Sequence, residues 1–376
     1  MALIYDGTNG LTFNDGTQIS SVNQVGIRNR IINGDMRIDQ RNAGSTVTFG
    51  SGSVDAYVVD RFKGSKSSTG TFTLVQSSIA PPGFTKSLLF TVTGTEASLA
   101  SSSYYDIIQY IEGYNIGDLD WGLSTAKTVT LSFWVRSSVT GTYSYELRNA
   151  SANRSITYNY TINAANTWQQ ITQTIPGDTT GTWATDGGIG IGLLFPLASG
   201  SSFTTSNIGT WQAGNYNAST SAINLMATNG ATFYITGVQL EKGSVATPFD
   251  FRFYGKELLL CQRYFLKTFP QGTAPAQNAG TLGTALVWSS SGANSTFGTQ
   301  VQWRFPVTMR TAPTAIYYNP SAANANARNY AISSDMVLGS SPATGPGDSS
   351  LQFVSNDTAS SAGHCCFIHV TASAEL

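Results

Sequence analysis

Between about residues 54 and 250 the chain is a succession of short apolar segments with a period of two, set apart by Gly, Ser, Thr and Asn, and no amphipathic helical stretch interrupts them. Side chains alternate across a strand, so this period assigns one face of each segment to a core and the other to its surroundings. In TVTLSFWVRSS, Val129, Leu131, Phe133 and Val135 fall on one face, and Thr130, Ser132, Trp134 and Arg136 on the other. ITYNYTI places Ile156, Tyr158, Tyr160 and Ile162 together as core, and TFYITGVQL places Tyr234, Val238 and Leu240 opposite Phe233 and Ile235. Strands of this length with turn residues between them predict an antiparallel β-sandwich of the jelly-roll kind.

One segment departs from this pattern. In GKELLLCQRYFLK, Leu258, Cys261 and Phe265 recur at helical spacing, Leu260 meets Tyr264 at i+4, and Glu257 sits in the first turn, where the helix dipole favours an acid. Apolar residues on most sides predict a helix buried on most sides, at a seam between domains or subunits. After Pro270 a Gly/Ala/Thr-rich stretch leads to further strands, among them VQWRF, with Val301, Trp303 and Phe305 on one face, and GHCCFIHVTA near the end. The expected fold class is therefore all-β: a central antiparallel jelly-roll β-sandwich, a short linking helix near 255–267, and a smaller C-terminal β domain. In segments, 1–28 is an N-terminal piece too small for its own core, 29–254 the sandwich, 255–270 the linking helix and 271–376 the C-terminal domain.

Composition removes several classes of function. Only 11% of the 376 residues are charged, and 20 basic side chains nearly balance 21 acidic ones. No basic stripe exists to release phosphate counterions, so nucleic acid is not an expected partner. No basic region followed by an apolar core opens the sequence and no window nears 18 apolar residues, so neither a signal peptide nor membrane insertion is expected. Cys261, Cys365 and Cys366 form a poor disulfide framework, because the count is odd and two are adjacent. HCCFIH contains zinc-type ligands, but on a strand His364 and Cys366 face away from Cys365 and His369, so no metal and no cofactor is expected. Asp106, Glu112, Asp118 and Asp120 are the acids available to a glycosidase pair; beside Gly and Asn they read as turn formers or caps, so no catalytic residue is assigned and the protein is not expected to be an enzyme.

An ordered series of motifs carries a resemblance. NRIINGDMRIDQRN (29–42), YVVDRF (57–62), QYIEGYNIGDL (109–119), KTVTLSFWVRSSVTGTY (127–143), FYITGVQLEKGSVATPFDFRFYGKELLLCQRYF (233–265) and FPVTMRTAPT (305–314) resemble bacteriophage tail-fibre and related virion appendage proteins. The resemblance implies a homotrimeric receptor-binding subunit of the virion, synthesised in the host cytoplasm, with a jelly roll similar to carbohydrate-binding modules. Its partners would be other virion proteins, through the N-terminal segment, and a host cell-surface polysaccharide or receptor. The alternative is a structural decoration or adaptor protein of head, neck or tail that binds only other virion proteins.

Sugar recognition needs flat aromatic faces beside amide or carboxylate groups. Trp134, Trp168, Trp183 and Trp211, among Thr, Gln, Gly and Asn, are the expected carbohydrate platforms. Leu258, Leu259, Cys261, Tyr264 and Phe265 are the expected oligomer or domain interface.

Overall fold

The computed structural model describes residues 28–290, 299–339, 346–356 and 361–376, together with three short N-terminal strands, Ile4–Asp6, Gly10–Thr12 and Gln18–Ile19, which pair antiparallel in that order. The rest of the expected attachment segment 1–28 lies outside the described residues.

Two antiparallel sheets form the sandwich. The six-stranded sheet runs Gln169–Ile175, Val129–Ser137, Thr232–Lys242, Ser87–Gly94, Thr71–Ser77 and Val47–Phe49; the seven-stranded sheet runs Gln212–Ala213, Arg154–Ile162, Gly141–Arg148, Ile189–Ser199, Tyr104–Glu112, Phe62–Ser68 and Gly52–Val59. Val129, Leu131, Phe133 and Val135 are all fully buried between them, as the period of two requires. Phe133 meets Tyr145, Tyr160 and Phe195 of the facing sheet edge-on at 5.7, 5.4 and 5.1 Å, an aromatic layer spanning the core. Tyr158 is half-buried and stacks on Tyr145 at 5.6 Å.

Strand Thr232–Lys242 corrects one expectation. Phe233, Ile235, Val238 and Leu240 all enter the core, whereas Tyr234 lies outside it. Gly237 switches the face: its φ is +62°, and a Cβ there would come within 2.7 Å of Phe84 and 3.0 Å of Trp134. A glycine bulge of this kind inserts one residue and flips every side chain beyond it.

The helix spans Tyr254–Gln262 and stops short of the expected end at 267. Phe265–Lys267 instead form a strand that pairs with Cys365–Ser373, so ladder hydrogen bonds from a distant segment override the helical spacing of Phe265. Within the chain the helix is not covered all round: Cys261 is fully buried, Leu258 and Leu260 are half-buried, and Leu259 and Tyr254 are each 46% exposed. Cys261 and Tyr264 share a small core with Ile32, Ile38 and the last residue, Leu376. Three of the five expected interface residues, Cys261, Tyr264 and Phe265, are thus buried inside the chain at the seam between sandwich and C-terminal sheet.

The seam gathers motifs that are far apart in sequence. Arg263 forks onto Glu112 at 2.8 and 2.5 Å, and Tyr264 donates its hydroxyl to the same carboxylate at 2.6 Å. Burial raises the Glu112 pKa, but these donors outweigh it and hold the carboxyl below its ordinary value. Arg61, in the turn after Val59, pairs with Glu375, donates to the Tyr110 carbonyl and lies 3.6 Å over the Tyr264 ring. Arg41 reaches Glu375 at 2.8 Å and covers Phe265 at 3.7 Å. Arg310 donates to the carbonyls of Gly187, Ala374 and Glu375.

The C-terminal domain is built around Cys365–Ser373, which takes Phe265–Lys267, Leu286–Ser289, Thr314–Tyr318 and Ala327–Asn329 as antiparallel partners. Its chain end returns to the sandwich through Glu375. None of the three cysteines is in a disulfide. His369 is fully buried, stacked on Phe269 at 4.2 Å and bonded to Thr268 at 3.0 Å, while Cys365 is exposed, so the HCCFIH side chains are divided between core and surface. Among the described residues no helix is long and apolar enough to cross a membrane.

Candidate functional site

The outer face of the seven-stranded sheet holds a cleft of about 200 Å³. Two strands supply most of its chemistry. In YYDIIQYIE, Tyr105, Ile107 and Ile111 point into the core, leaving Tyr104, Asp106, Ile108 and Tyr110 on the outer face. In GTYSYELR, Tyr143, Tyr145 and Leu147 are core, so Glu146 and Arg148 project outward. Strand Ile189–Ser199 lies between them and sets the register: Gly192 stands opposite both Arg148 and Tyr110, Leu194 opposite Glu146 and Ile108, and Pro196 opposite Asp106. A Cβ on Gly192 would lie 3.2 Å from Tyr110 and 3.3 Å from Arg148, so glycine lets those two side chains close over the floor.

Residues 201–219 form the roof. Ser155 donates to the Gly214 carbonyl at 2.9 Å, the Ser219 amide donates to Ser144 at 3.0 Å, and Asn217 donates to both Asp106 oxygens at 3.2 and 3.1 Å. Phe203 meets Tyr104 edge-on at 5.6 Å. On the far wall Lys63 pairs with Asp55 at 3.0 Å and lies 5.0 Å over the Tyr110 ring, and Arg148 donates to Asn215 at 2.6 Å.

Burial dominates the electrostatics. Asp106 is 3% exposed, and desolvation raises its pKa to about 7 against the opposing pull of Arg148 and Asn217. Glu146, fully buried beneath the roof, is raised to about 8 by burial, with Arg148 3.8 Å away opposing and Asp106 reinforcing. Both Glu146 oxygens and the Oδ1 of Asn217 lack hydrogen-bond partners. The cleft thus offers aromatic edges and faces, fixed amides, an arginine, and in Asp106 a carboxyl group that holds its proton near neutral pH, with Glu146 buried beside it and outside its lining.

The sequence-expected tryptophans lie elsewhere, in two groups. Trp134 and Trp168 are half-buried on the outer face of the six-stranded sheet, Trp168 edge-on to Tyr234 at 6.0 Å with Arg136 4.9 Å over that ring. Trp183 and Trp211 belong to a three-ring cluster with Trp121, at centroid distances of 4.8, 5.3 and 5.3 Å. Their indole N–H groups donate to Thr180 and Pro176 carbonyls, and that of Trp121 to the Lys127 carbonyl. Trp183 is 7% exposed, so its ring faces are covered by neighbours and it is corrected from platform to core. Of the four acids weighed for catalysis, Glu112 is committed to Arg263 and Tyr264, Asp118 to Arg30 and Lys242, and only Asp106 lines the cleft.

Sequence reasoning missed Tyr104, Tyr110, Glu146, Arg148, Phe203, Asn215 and Asn217. A usable signal was present: in a chain this poor in charge, Glu146 and Arg148 occupy alternate positions on the face of their strand opposite the apolar Tyr143, Tyr145 and Leu147. Their convergence with Asp106 was hidden, because the two strands meet only through a third that is later in sequence than both.

No protein-family model matches the chain, and no curated protein does either. Among solved structures it is similar to the enzymatically active domain of tailspike protein 4 of bacteriophage CBA120, at 13% identity over 57% of this chain and 21% of that one, with a TM-score of 0.30. It is similar to a putative sugar-binding protein from Bacteroides thetaiotaomicron, at 11% identity over 57% and 100% of the two chains, TM-score 0.30. A family 11 carbohydrate-binding module from Clostridium thermocellum, in complex with a β-1,3-1,4-mixed-linked tetrasaccharide, aligns at 11% identity over 53% and 100%, TM-score 0.28. Likeness of this degree says nothing about ligand or partner, and the all-β sandwich rests on the strand pairing itself.

Proposed function

We propose that this chain is a subunit of a bacteriophage virion appendage that binds a host-surface glycan in the cleft of the seven-stranded sheet. The cleft's chemistry carries the reading: Tyr104, Phe203 and Tyr110 supply apolar ring surface for a sugar, and Asp106, Asn215, Asn217 and Arg148 supply hydroxyl partners. Its volume suits a single sugar unit. The motifs that resemble virion appendages support the biological setting, since Arg41, Arg61, Glu112, Arg263 and Arg310 from five of them meet in one seam. A homotrimer is supported by the apolar face left open beside that seam, where Phe251, Phe253, Tyr254 and Leu259 are 54, 90, 46 and 46% exposed. Three weak sites on one trimer would gain by avidity.

The same open face favours a second reading, a decoration or adaptor protein whose apolar patch docks on another virion component. Binding of labelled full-length protein to bacterial cells and their extracted envelope polysaccharides, with its mass in solution measured alongside, separates the two. Expected are a trimer, saturable binding, and a loss of about tenfold or more in affinity for Tyr104→Ala and for Arg148→Ala, with Trp134→Ala unchanged. A loss confined to Trp134→Ala would move the site to the six-stranded sheet, and a trimer that binds no polysaccharide would favour the adaptor.

A further inference from the structure

The outer face of the seven-stranded sheet carries a second hollow, of about 360 Å³, beside the cleft. The two share a floor: Asp106 of the cleft stands opposite Pro196, which lines the second hollow, on adjacent strands about 4.8 Å apart. They also share a partition. Phe203 and Asn217 face the cleft, while the next residue of each, Thr204 and Ala218, faces the second hollow, and Thr204 pairs with Ala218 in a short parallel ladder. A single pair of short strands therefore divides one continuous sheet face in two.

Buried polar atoms without partners stand on both sides of it: Asn217 Oδ1 in the cleft, Ser199 Oγ and Asn224 Oδ1 in the second hollow. The second hollow has no aromatic ring and no charged side chain in its lining; Pro196, Ala198 and Ile223 give it an apolar base, and Ser, Thr and Asn give it a polar rim. Such a lining suits a neutral hydroxylated group and exerts no pull on a charged one.

We propose that this hollow is a further subsite of the same glycan site, so that the chain takes a neutral oligosaccharide of two or more units, one in each hollow, with the linkage crossing the Thr204–Ala218 pair. The proposal rests on the reading of the cleft as a glycan site. Calorimetric titration with xylose, xylobiose, xylotriose and xylohexaose, and with the matching glucose and galactose series, tests it on the full-length protein. In at least one series affinity is expected to rise tenfold or more from the monosaccharide to the longer chains. Ala222→Trp, which fills the second hollow, should abolish that rise and leave monosaccharide affinity unchanged; Thr220→Trp, at an exposed rim position, makes the same test with less demand on folding. Affinity independent of chain length, or a rise that survives in a folded filling variant, overturns the subsite while leaving the cleft intact. No binding by the wild-type protein in any series, while it binds extracted envelope polysaccharide and Tyr104→Ala weakens that binding, overturns the neutral-oligosaccharide subsite alone; no binding of the polysaccharide either overturns both.

Discussion

Glu146 shows how much a single residue's meaning depends on what covers it. On the strand it belongs to a polar face with Thr142, Ser144 and Arg148; under residues 214–219 it becomes a fully buried carboxyl with no hydrogen-bond partner. Burial raises its pKa to about 8 and that of Asp106 to about 7, far above the ordinary carboxylate value near 4. Both groups bind their proton more tightly folded than unfolded, so their contribution to stability is complete below about pH 4 and is lost as pH rises through 7 and 8. Glu146→Gln is expected to stabilise the protein by about 1–3 kcal/mol at pH 9 and to flatten its stability between pH 5 and pH 9 relative to the wild type. Urea unfolding at those two pH values measures both effects, and an unchanged pH slope would mean that Glu146 is ionised and partnered in the folded protein.

Among the elements, strand Thr232–Lys242 carries the sharpest local decision. Without the bulge at Gly237, either Phe233 and Ile235 or Val238 and Leu240 would leave the core. Gly237→Ala forces a side chain onto a φ of +62° and against Phe84, and should cost about 1–3 kcal/mol, read as a lower midpoint in denaturant. A variant as stable as the wild type would mean that the strand reaches the same packing without the bulge. Periodicity made the four core positions of Val129–Ser137 legible from sequence, because both faces of that strand keep one parity throughout. It failed at Gly237 and at Phe265 for related reasons: a bulge and a late strand pairing are set by contacts with Phe84 and with Cys365–Ser373, which lie far away in the chain.

At the scale of the whole molecule, the C-terminal domain is tied to the sandwich by its own chain end. Glu375 bridges Arg41 and Arg61, and Leu376 packs with Ile32, Ile38 and Tyr264. Removing residues 375 and 376 should leave Arg61, 1% exposed, without its carboxylate, and breaking a buried pair in this way costs about 3–5 kcal/mol. The expected outcome is a domain seam that loosens before either domain unfolds, seen as two calorimetric transitions and as faster proteolysis between 270 and 285; a single transition at the wild-type temperature would show that the strand Phe265–Lys267 and the Arg263–Glu112 and Arg310–Gly187 contacts hold the domains together without residues 375 and 376.

By itself the sequence determined the all-β class, the position of the helix Tyr254–Gln262 and the inward faces of Val129–Ser137 and Arg154–Ile162, because these follow from periodicities that each segment carries locally. Only the tertiary structure decided which strands lie side by side. That decision brought Asp106 and Arg148 into one cleft with Glu146 buried beside them, put Trp183 in the core, and made Glu112 and Arg61 parts of a seam; strand order is governed by pairing between segments distant in sequence, and no local period encodes it.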